Sequence, residues 1–193
     1  MTESGDPGSG RTPRVATILL AAGRSSRMGD AHKLLEVIEG RTVLEWALDA
    51  AIRADLGPVV AVTGHRGDDL AALVPDAVLT VHNPSWAEWM ASSLQAGVSA
   101  LSGRADAVAI ALADMPAIRP ADYRVVAEAW SPGRITLPTH RGRRGHPVLW
   151  SASLIGEFDE LSGDSGAREL LTRHADLVDE VPGRTGPGSS ACR

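Results

Sequence analysis

The sequence predicts an α/β domain built on an open, doubly wound sheet, and three observations carry that prediction. Apolar runs of strand length alternate with amphipathic stretches of helix length. The two strongest runs, Val15 to Ala22 and Ala107 to Ala113, are continuous in hydrophobicity, as strands covered on both faces are. Composition is the third: 44 % of residues are hydrophobic but only 4 % aromatic, which describes an aliphatic core of Val, Leu, Ile and Ala under helices.

The elements follow in order. Val15-Ala-Thr-Ile-Leu-Leu20 is the first strand. From Thr42 the spacing turns helical: Val43, Leu44, Ala47, Leu48, Ala51 and Ile52 share a face, Thr42-x-x-Glu45 is a capping box, and the helix ends near Gly57-Pro58. Val59 to Thr63 is the second strand, Gly67 to Leu73 a helix, and Val78 to His82 the third strand. A helix with Ser92 and Ser93 in its early turns runs to about Ala100. Ala107 to Ala113 is the central buried strand, stopped by Asp114-Met-Pro116, and Pro120 opens a helix with Tyr123, Val126, Ala127 and Trp130 on one face. Arg134 to Leu137 and Pro147 to Trp150 are strands joined by a Gly/Arg loop, Ala167 to Arg173 is a short helix, and Leu177 to Val181 is the last strand. In such a sheet the ligand lies beyond the carboxyl ends of the strands.

A chain of 193 residues and 20.2 kDa suits one domain with a core of its own. Residues 1–13, rich in Gly, Ser, Pro and Thr, read as a disordered lead-in, 14–182 as the folded domain, and 183–193 as a disordered tail that holds the single cysteine, Cys192. No apolar run follows a basic start, so the expectation is a cytoplasmic protein without disulfides or a cysteine-based metal site. The apolar runs are far shorter than the roughly 20 residues of a membrane helix. Lysine plus arginine number 19 against 24 aspartates and glutamates, a net charge of -5, so there is no basic field to hold nucleic acid or an anionic membrane.

Chemistry concentrates at two strand ends. After the first strand comes Ala21-Ala22-Gly23-Arg24-Ser25-Ser26-Arg27-Met28-Gly29, a small-residue loop whose amides can cradle phosphates while Arg27 and Lys33 supply charge. Its spacing matches neither the kinase-type phosphate loop nor the dinucleotide fingerprint, which needs glycine where Ser25 stands. Asp114 closes the most hydrophobic strand, where a carboxylate is costly unless it binds a cation, with Mg²⁺ the natural guest, or satisfies backbone amides in the turn.

These residues resemble a known family. Leu20-Ala-Ala-Gly-x-Ser-x-Arg-Met-Gly29 with Lys33-Leu34, Asn83, Leu112-Ala-Asp-Met-Pro116, Gly145-His-Pro-Val148 and Gly163-Asp-Ser-Gly-Ala-Arg168 are similar to the nucleotidyltransferases that attach a nucleotide to the molybdenum cofactor, most closely to their cytidylyltransferase branch. The resemblance implies a single Rossmann-like three-layer domain with a mostly parallel mixed sheet, an NTP, Mg²⁺, and pyrophosphate release as the phosphate of a molybdopterin-type cofactor attacks the α-phosphorus. It implies that Arg27 and Lys33 hold the triphosphate, that Asp114 ligates Mg²⁺, and that Leu20, Ala21, Ala22, Gly23 and Arg24 approach the nucleotide. Leu-Ala-Ala-Gly at residues 20–23, where guanine users carry Leu-Ala-Gly-Gly, points to CTP over GTP. A recipient molybdoenzyme or its chaperone is the implied protein partner.

Other positions keep two readings open. Asn83 either donates to the nucleotide or starts a turn before Pro84. His146, by resemblance on the acceptor side, otherwise sits at a hairpin tip, and Arg141, Arg143 and Arg144 either attract an anionic pterin or are solvated. Asp164 caps a helix or helps hold metal or cofactor. The family usually has glycine before the methionine at 90, whereas Trp89 stands here. His32, His65, His82, His140 and His174 have no metal-cage spacing and receive no role. A same-fold transferase acting on a sugar phosphate, and a non-catalytic nucleotide or cofactor-binding module, are the alternatives.

Overall fold

A computed structural model describes residues 13–23, 32–87, 90–101, 105–161 and 167–183. In chain order its strands and α-helices are β1 (Val15–Ala21), β2 (Val37–Ile38), β3 (Arg41–Thr42), α1 (Val43–Ala54), β4 (Val59–Thr63), α2 (Gly67–Ala71), β5 (Leu79–His82), α3 (Met90–Ser99), β6 (Ala107–Leu112), α4 (Pro120–Ala129), β7 (Ile135–His140), β8 (Arg143–Arg144), β9 (Val148–Ser151), α5 (Ala167–Arg173) and β10 (Val178–Pro182). The main sheet has eight strands in the order β10-β7-β9-β6-β1-β4-β5, with β8 folded back on β7. β6, β1, β4 and β5 are parallel neighbours, while β9 lies antiparallel between β6 and β7. This is the mostly parallel mixed sheet that the family resemblance implied.

The period-2 alternation of the central strands supplies two cores. Val15, Leu19 and Ala21 of β1, Val59 and Ala61 of β4, and Ala107, Ala109 and Ala111 of β6 face α1 and α4. Ile18, Val60, Val62, Val108 and Ile110 line the opposite face, under α3 and a 3₁₀ segment over Ala152–Glu160. Small side chains occur on both surfaces of the first core, with Ala47, Ala50, Ala51 and Ala54 on the helix, so Leu44 and Leu48 supply bulk at about 2 kcal/mol each.

Helix α1 begins where its capping box predicts. The Glu45 amide donates to Thr42 Oγ1 at 3.2 Å and the Thr42 amide to Glu45 Oε2 at 2.7 Å. It stops at Ala54, three residues before Gly57, because Asp55 turns left-handed at φ 57°. Gly57 has φ +149°, and a Cβ there would lie 2.4 Å from the Val15 carbonyl oxygen, so only glycine lets α1 return to the sheet beside β1.

The predicted strands and helices all form, with most ends shifted by one or two residues and those of α1 and β7 by three. The loop expected between the strands at 134–137 and 147–150 is a hairpin, in which β7 runs on to His140 and pairs with Arg143–Arg144. The β2–β3 hairpin, two residues a side, and the 3₁₀ segment, whose Leu154, Ile155, Phe158 and Leu161 fall at helical spacing and pack in the second core, are not among the predicted elements.

Candidate active site

The parallel strands end at one level. In register, Leu20 lies beside Leu112, Ala21 beside Thr63, and Thr63 beside His82. Ala22, Gly23, Gly64, Asn83 and Asp114 therefore leave the sheet along one edge. Two backbone bonds tie the loops together: the Ala113 amide donates to Leu20 O at 3.0 Å, and the Asn83 amide to Thr63 O at 2.8 Å.

Lys33 and Asp114 meet across that edge. Lys33 opens a 3₁₀ turn, Lys33–Leu35, and its ammonium lies 3.2 Å from Asp114 Oδ2, with the two side chains 32 % and 47 % exposed. An ammonium and a carboxylate reachable from solvent at the end of a buried strand can serve a polyphosphate and its cation. Among the described residues no three His, Cys, Asp or Glu side chains gather into a metal cage. A single carboxylate such as Asp114 fits magnesium, which takes one or two protein carboxylates and fills its shell with water and substrate phosphates.

The Leu20 to Gly23 segment offers backbone. Ala21 and Ala22 are buried at 1 % and 3 % exposure, whereas Gly23 is exposed and a Cβ there would meet nothing within 4 Å. Arg24, Arg27, Asp164 and Trp89 lie outside the described residues.

Asn83 is a buried structural tie. Its Nδ2 donates to Ser92 Oγ at 2.8 Å and Ser93 Oγ at 2.9 Å, and its Oδ1 accepts from the Ser85 amide at 3.0 Å. Both amide hydrogens are engaged, so the side chain fixes the turn over residues 83–86 to α3. These contacts make Asn83 the anchor of that turn, as the turn reading has it.

His146 reaches back into the sheet. Its Nδ1 is 3.3 Å from Ile110 O, and since a carbonyl only accepts, Nδ1 carries the proton in the neutral ring and Nε2 the lone pair. Burial holds its pKa below the usual histidine value, opposed by the Ile110 contact and the Asp114 charge, while Arg168 lowers it further. Arg168 therefore acts on the same side chain as Asp114. The sequence placed it only inside a motif, and the partner it influences is 22 residues upstream. Arg141, Arg143 and Arg144 are exposed, and Arg144 Nε donates to Glu180 Oε1 at 2.8 Å, which ties the hairpin to β10.

A ring cluster backs the edge. His32, 3 % exposed, stacks on His65 with centroids 5.4 Å apart, and His65 meets Trp86 at 5.0 Å. Both His32 ring nitrogens lack a hydrogen-bond partner among the described residues. Burial, then the charges of His65 and Arg66, push the His32 pKa down against Asp69. Neither His32, His65 nor Trp86 carried a functional expectation.

The fold and this edge define an α/β protein of nucleotidyl-transfer type, and comparison with known proteins gives the family. Residues 17–178 match the MobA-like NTP transferase domain. The chain is 32 % identical over 159 residues to the molybdenum cofactor cytidylyltransferase of Escherichia coli, covering 81 % of this chain and 80 % of that one. It is 31 % identical over 180 residues to the nicotine blue oxidoreductase of Paenarthrobacter nicotinovorans, covering 88 % and 87 %. Rv0371c of Mycobacterium tuberculosis superposes with a TM-score of 0.79 at 27 % identity over 89 % of each chain. A structure of Rv0371c as a manganese complex superposes at 0.74, with 25 % identity over 93 % and 94 %. This chain belongs to the MobA-like NTP transferase domain family, whose chemistry is nucleotidyl transfer.

Proposed function

We propose that the protein transfers the CMP unit of CTP to the terminal phosphate of a molybdopterin-type cofactor and releases pyrophosphate. The observation that carries this reading is the meeting of Lys33 and Asp114 at 3.2 Å across the sheet edge, in a chain with Leu-Ala-Ala-Gly at 20–23. The E. coli relative, a molybdenum cofactor cytidylyltransferase by name, supports the acceptor and the base.

The chemistry needs little covalent help. A phosphate monoester has its second pKa near about 6, so the acceptor is already an anion at neutral pH. An acceptor phosphate oxygen bonds to the α-phosphorus of CTP, the bond from that phosphorus to the bridging oxygen breaks, and the electron pair leaves on pyrophosphate. The obstacle is repulsion among anions. Lys33 and Arg27 hold the triphosphate and offset its charge, and Asp114 would be the carboxylate that holds Mg²⁺. Bound there, the metal supplies charge neutralisation on the phosphates. His146, neutral and with Nε2 unprotonated, accepts a hydrogen bond from the acceptor, and Asp164 and Arg168 lie in the motif assigned to the same side. The product passes to a recipient molybdoenzyme in the cytoplasm.

The test is incubation with molybdenum cofactor, Mg²⁺ and each NTP in turn, with mass identification of the dinucleotide and assay of pyrophosphate. The expected product is the cytosine dinucleotide. A guanine dinucleotide, or pyrophosphate release only with sugar phosphates, overturns the assignment, as does a redox change of added nicotine blue with no pyrophosphate, the outcome the Paenarthrobacter relative's name raises.

A further inference from the structure

The strand register extends the active edge well past Asp114. Ala109 of β6 and Thr136 of β7 both face Leu149 of β9, so β7 runs level with β6, and Thr139 stands at the height of Leu112, where β6 ends. Asp114 and Arg141 each follow two residues later. Between them in space lies the approach to β9, where His146 reaches the Ile110 carbonyl. Asp114, His146 and the tip of the β7–β8 hairpin therefore stand in a row above β6, β9 and β7. Neighbouring strands lie about 4.8 Å apart, which puts the hairpin about 10 Å from Asp114 along that row.

The hairpin is held on both sides. The Gly145 amide donates to Pro138 O at 2.7 Å, the Gly183 amide to Thr139 O at 2.8 Å, and Arg144 Nε to Glu180 Oε1 at 2.8 Å. Only Arg141 and Gly142 connect the paired His140 and Arg143, with φ of 51° and 73°. Such a turn favours Asn or Asp before its glycine, and an arginine stands there instead. Charge does not cancel at this end of the row. Asp114 is paired with Lys33 and Glu180 with Arg144, whereas among the described residues neither the Arg141 nor the Arg143 guanidinium has an ion-pair partner. In a chain of net charge -5, two exposed and uncompensated cations thus share one fixed tip.

We propose that Arg141 and Arg143 form a second anion site for the acceptor, so that the protein selects a phosphorylated acceptor carrying another negative group about 10 Å from its reacting phosphate. The inference rests on the transferase reading of the Lys33–Asp114 edge and takes its geometry from the strand register. An acceptor whose phosphate reacts beside Asp114 has the tops of β9 and β7 beneath it on the side away from β1, and its far end meets the hairpin. A guanidinium stays charged and presents its N–H donors in a planar fork, so two of them on a fixed tip hold a carboxylate, a phosphate or another oxyanion at little cost in ordering. His146, neutral, lies between the two ends and adds no charge of its own. A phosphate monoester that ends short of the hairpin forgoes the second contact, so the tip sorts acceptors by length and charge.

The test is calorimetric binding of hexyl phosphate and of 1,6-hexanediol bisphosphate, whose extended chain matches that span, to protein saturated with Mg²⁺ and α,β-methylene CTP, which fills the nucleotide site and does not react. Wild type is expected to bind the bisphosphate about tenfold more tightly than the monophosphate, the gain of one charge-assisted contact at an exposed site. In the double variant Arg141→Gln, Arg143→Gln that advantage is expected to fall below about twofold, while hexyl phosphate and α,β-methylene CTP bind within about twofold of their wild-type affinities. Arg141→Lys with Arg143→Lys keeps the charge without the fork and is expected to retain an advantage of a few-fold, and added salt should shrink the wild-type advantage. A wild type that binds both compounds equally or neither, or a glutamine variant that keeps the advantage, overturns the second anion site and leaves the transferase reading standing. An equal loss for both compounds in the glutamine variant does the same, since the arginines then act as a general attractive field. Failure of α,β-methylene CTP to bind the wild type overturns the transferase reading and the inference with it.

Discussion

Lys33 follows the Gly/Ser/Arg loop after β1 and Asp114 the central strand, and their ion pair spans 81 residues of sequence. Both side chains are at least a third exposed or close to it, so the pair contributes at most about 1 kcal/mol to stability. Its value is charge placement. Asp114→Asn and Lys33→Ala are each expected to lower kcat/KM about 10²-fold to 10³-fold, as loss of a transition-state charge partner does, with melting temperatures near that of the wild type. Parallel kinetics and thermal melts check this, and unchanged turnover in either variant removes that residue from the mechanism. Asn83 behaves in the opposite way, because its amide is buried and fully engaged. Asn83→Ala leaves Ser92, Ser93 and the Ser85 amide without that partner and is expected to destabilise by about 1–3 kcal/mol. As the turn loosens, KM for the nucleotide should rise more than kcat falls, which steady-state kinetics would show. Lys33 and Asp114 were legible because each follows a strand that its own hydrophobicity announces. Asn83 was legible only as a residue of two uses, since its partners lie on a helix that the sequence does not aim. The His32, His65 and Trp86 stack was not legible, because it joins three loops whose convergence depends on strand order.

Among the elements, α1 shows what local sequence can decide: its capping box fixes the start, while its end depends on the left-handed Asp55, which carries no strong signal. The β2–β3 hairpin was missed because it has two residues a side, with Val37 67 % exposed and no alternation to read. Packing between elements is where a single methyl matters. Gly97 lies in α3, and a Cβ there would sit 2.6 Å from Ile18 Cγ2 and 3.1 Å from Val62 Cγ2. Glycine in a helix normally costs about 1 kcal/mol relative to alanine, so it stands here for closeness to the sheet. Gly97→Ala is expected to lose about 1–3 kcal/mol to overpacking and to regain about 1 kcal/mol in helix propensity. A net loss of about 1 kcal/mol lowers Tm by about 2–4 °C in a domain of this size. A higher Tm, measured by calorimetry, means that α3 moves away from β1 and β4 at little cost.

At the scale of the whole molecule, the alternation of strand and helix gives the parallel half of the sheet, and the register of its central strands fixes which residues share the active edge. The antiparallel half was less legible, because β9 inserts between β6 and β7 by a hairpin whose partners no pattern specifies. That insertion carries His146 to Ile110, joining the two halves at the site.

Two buried histidines make stability depend on pH. His32 and His146 both have their pKa pushed below 6.5 in the folded chain, chiefly by burial. For His32 the charges of His65 and Arg66 act in the same direction and Asp69 against it. A folded pKa below the unfolded one means that the unfolded chain takes up a proton that the native chain refuses. Well above pH 6.5 both forms are neutral at these residues and their contribution does not vary. As pH falls through 6.5, protonation of the unfolded chain draws it out of the native state, and stability drops until the folded pKa is passed. Thermal melts between about pH 5 and pH 8 should show this loss on the acid side. His32→Phe keeps a ring against His65 and removes both unpartnered nitrogens, so its Tm should fall less steeply with acid, the remaining slope reflecting His146 and the other ionisable groups. An acid slope as steep as that of the wild type means that His32 finds a partner for its proton in solution, and the neutral stack described for it is then wrong.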